Sequence, residues 1–116
     1  MKIIISFIAV LLFISPAFAQ HKIKAEDAKN HVTQTDTVTG KIEQVKTTAS
    51  TIYLNIGGKY PDNPFSAIIF IKNRDLFPDV NTYEGKNVEV IGIIQLYKDK
   101  PEIILNDPKQ LIVVSQ

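Results

Sequence analysis

An all-β fold with little helix, a small barrel of five strands, is what this 116-residue sequence predicts. Three observations predict it. Polar and apolar residues alternate along "TDTVTGKIEQV" (Thr35–Val45) and "TIYLNI" (Thr51–Ile56), the period of strands with one buried face. Two long strands carry a mid-strand glycine, Gly40 and Gly92, in the shared form V-x-G-x-I. Glycine inside a strand marks a bend or bulge, and small barrels need such corners. "LYKDKPEIILNDPKQLIVV" (Leu96–Val114) then reads strand, charged turn, strand, Asp-Pro stop and strand, a tail suited to closing a barrel.

The elements follow in order. "IKAEDAKNHV" (Ile23–Val32) predicts a short amphipathic helix, with Ile23, Ala28 and Val32 on one side. Its acidic residues come early and its basic ones late, as the helix dipole favours. In the first strand Val38 and Ile42 point inward; Thr37, Thr39, Lys41 and Glu43 point outward. In the second, Ile52, Leu54 and Ile56 point inward, and Thr51, Tyr53 and Asn55 outward. "GGKYPDNP" (Gly57–Pro64) is a loop. "FSAIIFI" (Phe65–Ile71) is apolar on both faces, as in a strand covered on both sides. Lys72–Gly85 is a connector with a short helical turn, pinned by Leu76, Phe77, Val80 and Tyr83. Lys86–Tyr97 predicts one long strand, Lys98–Lys100 a turn, and "PEIIL" its partner. Asp107-Pro108 is an N-cap followed by proline at the first helical position, and "QLIVV" is the last strand. The order is three strands, a connector and then two or three strands; read as five with the connector between the third and fourth, it is the order of the OB-fold Greek-key barrel.

The N-terminus predicts export. Lys2 precedes an apolar run, Ile3–Ile14, which breaks at Ser15-Pro16 and ends in Ala17-Phe18-Ala19. These are the parts of a secretory signal peptide, and the run is shorter than the ~20 apolar residues of a membrane span. The expectation is a signal over residues 1–19 and one OB-fold domain over 20–116, periplasmic or secreted, without a stable membrane anchor, and monomeric. With no cysteine, the domain has no disulfide and depends on its hydrophobic core. All 12 acidic residues and all but one of the 13 basic ones lie beyond the signal, so the mature formal charge is zero. Phosphate-backbone binders usually carry a basic excess, so any nucleic-acid partner needs a local basic face.

"VTGKIEQV", "IYLNIGGKYPDNPFSAIIF" and "YEGKNVEVIGIIQLYKDKPEIILNDPKQLIVV" together resemble the exported bacterial OB-fold proteins of the tRNA-anti-like, nucleic-acid-binding type. The resemblance spans roughly Ile23 to Val114, and its last block is the most specific. Thr33-Gln34 departs from it, where a glycine turn into the first strand is expected. Nucleic-acid binding is what the resemblance implies, and similar domains resemble appendages of secreted nucleases; OB barrels also bind oligosaccharides and proteins on much the same surface.

The candidate binding residues are Tyr53 and Asn55 on the second strand, Lys59 and Tyr60 in the loop after it, and Tyr97, Lys98 and Lys100 at the turn between the fourth and fifth strands. Tyrosines stack bases and lysines meet phosphates. Each has a plainer reading: a tyrosine covered by a loop, or a solvated hairpin tip with Asp99 balancing the charge. Lys72 and Arg74 extend a basic edge or belong to an exposed connector. No catalytic centre is expected. Cysteine is absent, His21 falls in a frayed N-terminus, His31 near a helix end, and neither has a carboxylate at metal-ligand spacing. Ser50 and Ser66 lack a nucleophile elbow, Asn106-Asp107 suits a helical cap, and Gly57-Gly58 is not followed by G-K-[ST]. No metal or cofactor is expected. The expected function is non-catalytic binding of single-stranded DNA or RNA. The alternative is a module for an envelope protein or an oligosaccharide. A focused positive patch across the second and third strands favours the first, and a neutral apolar groove the second.

Overall fold

The computed structural model describes residues 21–115; the signal-peptide reading of residues 1–19 and the mature start at Gln20 lie outside the described residues. Eight strands form one sheet: β1 Lys22–Lys24, β2 Thr35–Thr47, β3 Thr51–Ile56, β4 Phe65–Phe70, β5 Asn87–Ile93, β6 Gln95–Tyr97, β7 Lys100–Ile104 and β8 Leu111–Ser115. The hydrogen-bonded order is β6-β7-β4-β3-β2-β5-β8, with β1 parallel to β2. Ile94 alone separates β5 from β6, so the path returns to β2 and an OB-like barrel results. β4 and β7 are parallel, and the other pairs of the ring are antiparallel.

The count of eight corrects the expected five. The single strand expected over Lys86–Tyr97 breaks at Ile94, whose side chain is wholly buried and whose backbone bonds to Gln34 O and Thr33 N rather than continuing the ladder. The expected "PEIIL" and "QLIVV" strands are β7 and β8, and β1 is a further strand. β7 pairs with β6 and β4, whereas β8 pairs with β5. β8 therefore does not close the barrel as expected: it is an edge, with Ile112, Val113 and Val114 exposed. Between the two, Asp107 caps the turn Pro108–Gln110 in a reciprocal capping box with Gln110, as its sequence predicts.

Among the described residues the helical segments are all 3₁₀. The expected helix over Ile23–Val32 is shorter, Ala25–Asn30, because Ile23 is drawn into β1 beside Val38. The connector holds two turns, Ile71–Leu76 and Val80–Tyr83; Phe77 and Val80 reach the core, while Leu76 stays exposed. Thr33, where a glycine was expected, holds φ +76°, a left-handed conformation strained for a β-branched residue. His21 is tied down rather than frayed. Its Nδ1 lies 2.6 Å from Oδ1 of buried Asp36, and His31 Nδ1 lies 3.6 Å from the other oxygen.

Val38, Ile42, Ile52, Leu54, Ile56, Phe65, Ile69, Ile103 and Leu105 form the interior, the inward positions of each alternating strand. Gly40 and Gly92 sit where strands press against this core. A Cβ on Gly40 would lie 2.5 Å from Ile56 Cγ2, and one on Gly92 2.7 Å from Ile103 Cγ2. Ile56 is wholly buried and cannot yield. Gly40→Ala is therefore expected to destabilise by about 1–3 kcal/mol, the cost of overpacking a core. Urea unfolding checks this; an unchanged midpoint contradicts the close approach.

Candidate nucleic-acid interface

The outward side chains of β2, β3, β4, β7 and β6 meet in register. Lys46 stands opposite Tyr53, and Tyr53 opposite Ile68. One row along, Gln44, Asn55, Ser66, Glu102 and Gln95 follow one another across five strands. Tyr97 and Lys100 pair at the hairpin end. Alternation makes these rows: the same period that sends Leu54 and Ile103 inward sends Tyr53, Asn55 and Glu102 outward.

Over this face lies a cleft of about 450 Å³, lined by Lys46, Tyr53, Tyr60, Tyr97, Lys98 and Glu102 among others. The Gly57–Pro64 loop forms one wall and the β6–β7 turn the other. Six of the seven sequence-predicted residues line it; Lys59 does not and stays exposed. Three lysines and one carboxylate, Glu102, belong to the lining, so a chain of formal net charge +1 concentrates positive charge here. Lys72 is also outside the cleft, and Arg74 lines a separate one beside Asp75.

Within the cleft the residues differ in role. Tyr60 and Tyr97 are 64% and 56% exposed, so part of each ring is open to solvent. Lys46 and Lys100 each stand 5.7 Å from the Tyr60 ring centre, and Lys98 5.3 Å from that of Tyr97. Tyr53 is half-buried on the floor. Lys98 and Asp99 form the turn with φ +52° and +66°, the left-handed pair that matches a tight hairpin to strand twist.

Two predicted contacts are instead supports. Asn55 is 2% exposed. Its Nδ2 donates to Gln44 Oε1 (2.8 Å), and its Oδ1 accepts from Ser66 Oγ (2.9 Å) and Asn63 Nδ2 (3.3 Å). Gln44 Oε1 also accepts from Tyr60 N (3.0 Å), so the buried amide network sets the position of Tyr60. Lys100 Nζ donates to Pro61 O (2.7 Å), Asn63 O (2.8 Å) and Asn63 Oδ1 (3.0 Å). Its three protons are used, and it clasps the loop to the hairpin.

Lys46 and Glu102 were not singled out in the sequence. Lys46 lies one position past the expected end of the first strand, and plain alternation sends it and Gln44 inward with Val38 and Ile42; the register shift between Ile42 and Gln44 turns both onto the outward face. Glu102 is the outward residue after Lys100 on β7; extending the alternation through "KPEII" identifies it. Among the described residues Glu102 makes one side-chain hydrogen bond, from Gln95 Nε2 to Oε2 (3.0 Å), and no ion pair. Burial raises its carboxyl above the ordinary glutamate range, and the Gln95 bond partly opposes this.

Fold and cleft define an OB-like β-barrel domain with a basic, tyrosine-lined surface groove. No family model and no curated protein matches the chain. Solved structures do. An aspartyl-tRNA synthetase from Leishmania major aligns with a TM-score of 0.60 at 9% identity, over 93% of this chain and 23% of that one. An OBody bound to hen egg-white lysozyme aligns at 0.62 and 10%, over 87% and 100%. The aspartyl-tRNA synthetase from Entamoeba histolytica aligns at 0.55 and 12%, over 95% and 29%. The chain thus spans about a quarter of each synthetase's length and the whole of the OBody. At these identities the likeness shows the OB-type fold.

Proposed function

We propose that this is an exported, non-catalytic module that binds single-stranded nucleic acid in the cleft between the Gly57–Pro64 loop and the β6–β7 turn. The carrying observation is the convergence of Tyr53, Tyr60 and Tyr97 with Lys46 and Lys98 on one groove. Stacking platforms beside cations are the usual means of holding single strands. A groove of this charge suits a polyanion better than a neutral ligand. Two similar structures being tRNA synthetases accords with this, while an OBody holding lysozyme shows that the barrel also serves protein binding. Export rests on the sequence of residues 1–19.

The test is fluorescence anisotropy of labelled single-stranded DNA and RNA with residues 20–116, at low and at physiological salt. Saturable binding that weakens steeply with salt is expected, because Lys46 and Lys98 displace counterions. No binding at low salt overturns the reading.

Glu102 adds a pH dependence. Its charge repels phosphates, and its raised titration range means that the charge is lost at a higher pH than in an ordinary glutamate. For a thymine-only strand, affinity rises as pH falls through that range. Glu102→Gln removes this component, and a pH profile identical in the two proteins contradicts it.

A further inference from the structure

A carboxylate is out of place in a groove built for a polyanion unless it meets a hydrogen-bond donor. When ionised it only accepts, so phosphates cannot satisfy it. Glu102 lines the cleft between Ser66 on β4 and Gln95 on β6, and diagonal to the exposed Tyr97. Diagonal neighbours on adjacent strands lie about 7–8 Å apart, within reach of aromatic side chains. Gln95 Nε2 donates to Oε2, and among the described residues no side chain donates to Oε1 and no lysine pairs with the carboxylate, so a residue lining the cleft keeps acceptor capacity for a ligand. We infer that Glu102 is a base-reading residue that accepts hydrogen bonds from the Watson–Crick edge of a guanine stacked on Tyr97. This rests on the single-strand reading above and names its preferred base.

The choice of guanine follows from donor patterns. Guanine presents two adjacent donors, N1–H and the N2 amino group, which match the two oxygens of one carboxylate. Adenine and cytosine each present one amino group beside a ring acceptor, which would face the second oxygen. Thymine and uracil present one N–H between two carbonyls. Single strands leave these edges open and stacked on aromatic side chains. A good bidentate contact to a base is worth about 5- to 150-fold in discrimination. The raised titration range of Glu102 then makes the preference depend on pH, disappearing as the carboxyl is protonated.

The experiment uses labelled nine-residue dT strands carrying one central dG, dA, dC or dT, plus the uridine RNA counterpart, with the parent protein and Glu102→Gln. The expected result is tighter binding of the dG strand in the parent, by about 5- to 150-fold, and its loss in Glu102→Gln. Binding of the all-dT strand is retained or strengthened in that variant, which also shows that the fold survives. Equal binding of all four strands, unchanged by Glu102→Gln, overturns the inference and leaves the binding module standing. A preference for adenine or cytosine overturns the assignment to guanine. A Glu102-dependent preference for the RNA strand shows that the carboxylate meets the 2′-hydroxyl instead. Absence of binding to every strand overturns this inference and the proposed function together.

Discussion

Tyr60→Ala combined with Tyr97→Ala lowers affinity for single-stranded oligonucleotide by roughly 30-fold or more. The two rings are the most exposed aromatics of the cleft, and each stands with a lysine over it. A base stacked on an aromatic side chain contributes about 1–3 kcal/mol, and the rings sit on opposite walls, the loop and the hairpin, where they would hold different bases. Because both are exposed, little packing is lost, and thermal stability is expected to stay within about 0.5 kcal/mol of the parent. Anisotropy titrations beside thermal melts separate the two effects. Affinity within about twofold of the parent contradicts the role given to these rings.

Asn55→Ala acts in the opposite sense, on stability first. The side chain is buried and bonds to Gln44, Asn63 and Ser66. Truncation leaves the Ser66 hydroxyl without its acceptor and removes one of the donors to Gln44. Each buried group left unpaired costs about 1–3 kcal/mol. Folding stability is therefore expected to fall by at least ~1 kcal/mol in urea unfolding. Affinity falls as well, since Gln44 is the side chain that accepts from Tyr60 N. A variant with unchanged stability and lost affinity would make Asn55 a ligand contact and contradict the support role.

Tyr53 and Asn55 show where reading the sequence succeeds. Alternation in "TIYLNI" places Tyr53 and Asn55 on the outward face correctly, and β3 has the expected bounds. What alternation does not show is what covers that face. Asn55 is buried because a loop residue eight positions on, Asn63, folds back over it, and Lys100 is occupied because the same loop offers it three oxygens. Both facts depend on the loop's path, which no period encodes. The break of the long strand at Ile94 has a similar origin: its backbone partners, Thr33 and Gln34, are some sixty positions away. The meeting of His21 and His31 on Asp36 is invisible for the same reason. Glu102, by contrast, was within reach, because the outward period of β7 passes through it.

The most direct test of the binding cleft is amide chemical-shift mapping of isotope-labelled residues 20–116, titrated with a short single strand. The account predicts saturable shifts concentrated at Lys46, Tyr53, Tyr60, Tyr97, Lys98 and Glu102, with the β8 edge and the Arg74 cleft unmoved. Shifts centred on Leu111–Ser115 or Arg74–Asn81, or none at low salt, would contradict it.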